Sequence, residues 1–200
     1  MIHFIFATTT VPVNRREYYQ SMWHPGDVQC SNLRRFGNTG DGGKFVCLDR
    51  LDRDNLEILS IGSKGDFSFE SALHTTFPFA RITVMDGTVS KDIAETAPTY
   101  LRFRHQNFNE NTYFTSNVNI LKIDCEGCEK KSLLPFLRDK CVDQILIETH
   151  ACLRGHGNEK YHALLSTLNQ TYGVFMKEPN IQWSDGSCVE FAFLRRLPCR

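Results

Sequence analysis

The sequence predicts an α/β protein built on a mostly parallel sheet with helices on both faces. Three observations carry this. Short apolar runs of strand length alternate with helix-compatible segments from Leu56 to about Gln170. One of those strands, Leu56–Ile61, runs through Gly62-Ser63-Lys64-Gly65 into a segment that can be helical. Two late strands, Tyr172–Lys177 and Cys188–Leu194, are separated by a loop short enough for a hairpin, so the chain closes antiparallel.

Composition narrows the class. The 200 residues are 41% hydrophobic, which suits one domain with a substantial core and argues against disorder. Lys and Arg number 23 against 23 Asp and Glu, so no overall charge draws the chain to nucleic acid or to an acidic membrane. No apolar run has the length of a membrane-spanning helix, so stable membrane insertion is not expected. Met1–Ala7 is apolar but lacks the basic flank of a signal peptide, and is read as a strap or strand on the domain. Oligomeric state is not legible. Eight cysteines would suit disulfides in an oxidising compartment, yet Cys125 and Cys141 fall in or near predicted buried elements, where a thiol packs as a small apolar group. The compartment, cytoplasmic or a secretory lumen, stays open.

The elements follow in order. Asn14–Trp23 has the charges and aromatics of a short helix, ended by Pro25-Gly26-Asp27. Gly37–Gly43 reads as a turn and Lys44–Leu48 as a strand. This is either a hairpin capping the domain or a glycine-rich lip from which Asp41 or Lys44 reaches into a pocket. Residues 1–50 thus form a strap and hairpin, and 51–200 the main domain.

Leu56–Ile61 is the first core strand and Ser68–Phe77 the first helix, stopped before Pro78. Arg81–Asp86 is a second strand whose β-branched residues favour extension and which ends on an acid. Asp86 lies about twenty residues past the glycine turn, where a dinucleotide-type fold places its ribose-binding carboxylate. A plain turn role in Asp86-Gly87-Thr88 is compatible with that. Ser90–Ala97 can form a short helix, and Tyr100–Gln106 alternates as a strand. Asn107, just beyond, can face an adenine or solvent.

Val118–Ile123 is the next strand, again ending on an acid, Asp124, before Cys125-Glu126-Gly127-Cys128. A helix from about Glu129 to Leu137 starts with acids, as the helix dipole prefers. Cys125 and Cys128 lack a second Cys/His pair at zinc spacing, and acids surround them. They are expected to bind no metal and form no mutual disulfide, held instead for packing. Val142–Glu148 is the fifth strand, with Thr149-His150 at its end. Tyr161, Leu164, Leu165 and Leu168 share one face of a helix spanning Asn158–Gln170.

Four stretches carry a family resemblance. Ser60–Glu70 resembles the first motif of class I S-adenosylmethionine-dependent methyltransferases, with Lys64 where the commoner form has its middle glycine. Lys122–Glu129 is similar to the Asp-x-Glu-Gly-x-Glu motif of FkbM-type methyltransferases. Ile147–His150 and Gly40–Lys44 resemble segments of the related methyltransferase-like family. The resemblance implies a Rossmann-like fold with a seven-stranded sheet and S-adenosylmethionine as cofactor. It implies that Gly62, Ser63, Gly65 and Asp66 form the cofactor turn. Asp86 and Gly87 would lie at the ribose, Asn107 near the adenine, and Asp124 near the methyl group.

Methyl transfer itself needs mainly an in-line approach, because the sulfonium is already a strong donor. A hydroxyl acceptor also needs a base. His150 is the first candidate, as a neutral imidazole near pH 7, with Asp124 and Glu126 as alternatives. A structural hydrogen bond at a strand end would account for His150 equally. The expected partner is a small-molecule or glycan acceptor. The rival readings are a methyltransferase fold that binds without turnover and an NAD-dependent oxidoreductase.

Overall fold

The computed structural model describes residues 28–52, 54–112, 114, 117–150, 157–180 and 188–199. The expected strap at Met1–Ala7, the helix at Asn14–Trp23 and the loop at 181–187 lie outside them.

A two-stranded antiparallel sheet, β1 (Leu33–Phe36) and β2 (Lys44–Cys47), precedes the main sheet. Then follow β3 (Glu57–Ile61), α1 (Ser68–Thr76), β4 (Arg81–Met85), α2 (Lys91–Glu95), β5 (Leu101–Arg104), β6 (Val118–Ile123) and α3 (Glu129–Asp139). The chain continues through β7 (Val142–His150), α4 (Gly157–Leu168), β8 (Tyr172–Pro179) and β9 (Cys188–Arg195). The seven main strands lie in the order β5-β4-β3-β6-β7-β9-β8. The five from β3 to β7 pair in parallel, and β9 is antiparallel to both of its neighbours. The predicted sheet and its closing hairpin are therefore present.

The strand sequences explain why both faces are covered. Side chains alternate between faces along a strand. Leu59 and Ile61, Leu121 and Ile123, and Ile145 and Ile147 pack on one side with α3 and α4, through Leu133, Phe136, Tyr161, Leu164, Leu165 and Leu168. Ile58, Ile120 and Leu146 pack on the other side with Phe69, Leu73 and Phe77 at α1. Near-continuous apolar strands are what a doubly covered parallel sheet requires.

The β1–β2 hairpin belongs to that second core. Phe36, Val46 and Cys47 are buried among the residues of β3 and α1. Gln144 of β7 accepts from the Cys47 amide at 2.9 Å and donates to its carbonyl. The β3–β6 boundary, where the strand order reverses direction, leaves a crevice at the carboxyl ends of the strands.

One boundary changes the geometry of the site. The fifth parallel strand was expected to end at Glu148. It continues to His150, because Thr149 pairs with Val189 and His150 with Cys188 of β9. His150 is therefore held in the sheet rather than on a loop.

The cysteine expectation is overturned. Cys125 and Cys128 are joined, as are Cys30 with Cys47 and Cys141 with Cys199. The turn from β6 into α3 brings the Cα atoms of Cys125 and Cys128 to 5.5 Å, within disulfide reach. Cys188 is buried, and Cys152 lies outside the described residues.

Candidate functional site

The carboxyl ends of β3, β4, β6 and β7 open on one cavity of about 1300 Å³. Its wall begins with the glycine turn. Gly62 has φ +78°, and a Cβ there would lie 1.7 Å from the Asp124 carbonyl oxygen. The close approach that demands glycine is thus made by the neighbouring strand of the protein itself. The Lys122 ammonium donates to the Gly62 carbonyl at 2.7 Å and ties β6 to the turn. Lys64, at the usual middle-glycine position, takes φ +52° and adopts the left-handed conformation without being glycine.

Gly65 departs from expectation. Its φ of +81° serves the turn, but a Cβ would meet Ile93 of α2 at 2.6 Å, and Gly65 does not line the cavity. Ser63, Asp66, Gly87 and Asn107 do. Asp66 is also structural. One carboxylate oxygen accepts from the Ser68 amide at 2.8 Å, at the start of α1, and the other accepts from Asn38 of the hairpin at 2.7 Å.

Asp86 lines the cavity and is buried, but its oxygens are already engaged. Oδ2 accepts from the amides of Ser63 and Lys64, each at 2.8 Å, and from the Ser63 hydroxyl at 3.2 Å. Oδ1 accepts from the Thr88 amide at 2.9 Å and hydroxyl at 2.7 Å. A carboxylate offers about four lone-pair sites, so little remains for a ribose hydroxyl. Burial raises its pKa, and the bonds from Thr88, Lys64 and Ser63 outweigh that and bring it down to about 2. The immediate task of Asp86 is to shape the glycine turn.

At the β6–β7 end the residues are acidic. Asp124 lies 3.7 Å from the His150 Nε2, and Glu126 lies 3.4 Å from it. Glu148 lies 3.9 Å from the same nitrogen, and Glu129 lies 3.7 Å from Nδ1. These are electrostatic contacts, too long for good hydrogen bonds. Burial lowers the imidazole pKa, but the carboxylates of Glu129, Glu148, Glu126 and Asp124 raise it further, to about 9. These carboxylates favour the imidazolium over the neutral form expected of a base.

Lys44 offsets part of this charge. It is buried, pairs with Glu190 of β9, and stands 3.8 Å from Asp124. Burial alone would lower its pKa; Glu190, Asp124 and Glu148 hold it above the ordinary value. Asp124 stays below the carboxylate range: burial opposes this, and Lys44 and Lys122 overcome it. Glu148 goes the other way, to about 8, through burial and repulsion from Glu190 and Asp124. Its other oxygen accepts from Asn180 at 2.8 Å, and Asn180 also donates to Asp41 at 3.3 Å.

The two earlier readings of the glycine-rich segment therefore coincide. It is a hairpin, Asp41 lines the cavity, and Lys44 lies beneath it. Sequence reasoning gave no site role to Glu190, Lys122, Glu129 or Asn180, although Lys122 and Glu129 bound the Asp-x-Glu-Gly-x-Glu stretch. For Glu190 the available signal is an acid inside an otherwise apolar strand, which a buried position must pair.

Known proteins bear on this geometry. A family profile described as a methyltransferase domain matches residues 8–87 and 91–195. No curated protein is matched as a relative. Among solved structures, a fibrillarin/Nop5p complex is similar over 72% of this chain and 74% of that one, with a TM-score of 0.54 at 10% identity. The Methanococcus jannaschii fibrillarin pre-rRNA processing protein matches over 71% and 67%, with a TM-score of 0.52 at 10% identity. The plantazolicin methyltransferase BpumL, solved with a monoazolic desmethylPZN analogue and S-adenosylhomocysteine, matches over 71% and 76%, with a TM-score of 0.50 at 10% identity. At these identities the likeness is one of fold.

Proposed function

We propose, from the premise that this chain belongs to the methyltransferase-domain family and takes S-adenosylmethionine as its methyl donor, that it methylates a hydroxyl of a sugar or small molecule. The observation that carries the reading is the convergence of the glycine turn, Asp124, Glu126 and His150 on one cavity. Its volume of about 1300 Å³ exceeds the roughly 300–1,000 Å³ of a common single-ligand pocket. That leaves room for an acceptor beside the cofactor. Ser63 and Asn107 line the same cavity and are assigned to the cofactor, with Asp86 acting through the turn it shapes.

A hydroxyl attacking the sulfonium methyl must lose its proton. His150, whose imidazolium the surrounding carboxylates favour in the free chain, becomes available when the cofactor's positive charge enters the cavity, since a like charge disfavours the imidazolium. Asp124 already carries its charge, and Glu126 reaches the same place from an exposed position. The three disulfides among the described residues support an oxidising compartment, a secretory lumen or the cell exterior.

The test is two-step. Calorimetry compares S-adenosylhomocysteine with NAD, and binding of the former only is expected. Radiolabelled methyl transfer is then followed over a panel of hydroxylated sugars and small molecules. Label on a nitrogen or carbon acceptor would overturn the oxygen assignment. Binding without transfer to any acceptor would favour a module that keeps the fold and lacks turnover.

A further inference from the structure

The three disulfides among the described residues are not equivalent. Cys30–Cys47 and Cys141–Cys199 join residues 17 and 58 apart, whereas Cys125 and Cys128 are 3 apart. In the chain-entropy account, the restraint a cross-link places on the unfolded chain grows with the loop it closes. The Cys125–Cys128 bond therefore contributes least to global stability and can open while the domain stays folded.

Its position gives that opening a consequence. Both cysteines line the cavity, and Asp124 immediately precedes them. Between them Glu126 sits at φ +56°, a left-handed conformation that costs a non-glycine residue energy and that the short ring holds in place. In that conformation its carboxylate lies 3.4 Å from His150. The Cys125 Sγ lies 3.0 Å from the Glu129 Oε2, which also accepts from the Gly127 amide at 3.0 Å. The other oxygen of Glu129 accepts from Tyr161 and lies 3.7 Å from His150 Nδ1. A disulfide sulfur has no hydrogen to give Glu129; a thiol has one.

We propose that Cys125–Cys128 is a redox modification site that governs ligand binding in this cavity, opened by a dithiol reductant of the thioredoxin class. The reductant's thiolate bonds to Cys125 Sγ, and the Cys128 sulfur leaves with the electron pair. Cys128 is the better leaving group, because it stands at the N-terminus of α3 while the Glu129 carboxylate lies against Cys125. The reductant's second thiol then displaces Cys125. The net change is one disulfide reduced to two thiols, two protons gained, and the dithiol oxidised to its own disulfide. The new Cys125 thiol donates to Glu129, competing with the Gly127 amide, and the freed loop lets Glu126 leave both its left-handed conformation and His150.

The proposal rests on the methyl-donor reading of the cavity, and the experiment separates the two. The full chain is titrated with dithiothreitol. Alkylation is mapped by peptide mass, folding is followed by circular dichroism, and S-adenosylhomocysteine affinity is measured at each step. Cys125 and Cys128 should be labelled before the other described pairs, with the fold retained and affinity reduced at least about fivefold. Reoxidation should restore it. The Cys125→Ser/Cys128→Ser variant should bind with the reduced affinity and ignore dithiothreitol.

Labelling of Cys30, Cys47, Cys141 or Cys199 first would overturn the proposal. So would unchanged affinity once the short disulfide is open. An oxidised chain that binds no S-adenosylhomocysteine would overturn the methyl-donor reading and this proposal with it.

Discussion

Asp86→Asn tests whether the glycine turn is organised from within. The carboxylate collects five donors from Ser63, Lys64 and Thr88. An asparagine keeps one acceptor oxygen and turns an NH₂ group toward donors on the other side. Burial to 5% exposure means little screening by solvent. The acid is held at about 2 against an ordinary 3.8, which by linkage is worth about 2 kcal/mol. Because the folded pKa is the lower one, this stabilisation is complete above the unfolded value and is lost as pH falls through about 2. At pH 7 the variant should lose roughly 4–8 °C in Tm for a domain of this size. It should also bind S-adenosylhomocysteine about tenfold less tightly as the Ser63 and Lys64 amides lose their anchor. Calorimetric melting at pH 7 and in steps toward pH 2 measures the first effect, and titration calorimetry the second. The gap between parent and variant should close at the acid end. A Tm at pH 7 within about 1 °C of the parent, for a domain where a lost kcal/mol is worth roughly 2–4 °C, would refute the reasoning.

Three further outcomes follow from the same geometry. Lys44→Met leaves Glu190 buried without its cation and should cost about 3–5 kcal/mol, read from the urea midpoint; adding Glu190→Gln should recover most of it. Gly62→Ala drives a Cβ to 1.7 Å from the Asp124 carbonyl, so the variant should be recovered unfolded or not at all, as seen by circular dichroism of the purified chain. His150, with its folded pKa raised to about 9, contributes stability that is full below its ordinary 6.5 and lost as pH rises through about 9. S-adenosylmethionine affinity should accordingly rise through that pH range while that of uncharged S-adenosylhomocysteine changes less; parallel pH profiles, measured by titration calorimetry, would count against a sulfonium near His150.

Much of the fold was legible because local pattern and tertiary role agree. Apolar runs such as Ile58–Ile61 and Ile120–Ile123 can be buried on both faces only in a covered sheet, and both are. Asp86 and Asp124 were visible because an acid at the end of an apolar run must sit at a sheet edge. The long-range part was not legible. Lys44 meets Glu190 across 146 residues, and only the insertion of β9 between β7 and β8 places that glutamate under the hairpin. The charge on His150 depends on Asp124 and Glu126 of the turn after β6, Glu129 of α3 and Glu148 of β7; the Lys122–Glu129 motif contains the first three, but nothing in it says that Glu148 and His150 lie beside them. The packing role expected for Cys125 and Cys128 was a statement about burial; whether two thiols bond is decided by the distance across the turn, which spacing alone leaves open.

The distribution of charge argues for where the acceptor lies. S-adenosylmethionine enters as a cation and leaves as a neutral thioether, so carboxylates close to its sulfur would favour the reactant and oppose transfer. Carboxylates close to the acceptor oxygen do the reverse: positive charge builds there as the methyl arrives and before the proton departs. Asp86, at the glycine turn, is fully occupied by backbone and hydroxyl donors and offers little unpaired charge to the cofactor. The less fully hydrogen-bonded acids Asp124 and Glu126 lie at the β6–β7 end, around His150. Under the hydroxyl methylation proposed above, a catalytic arrangement would place the sulfur between these two regions, with the acceptor oxygen over Asp124 and His150. Lys44, from outside the main sheet, then helps keep Asp124 ionised in a place where burial alone would raise its pKa.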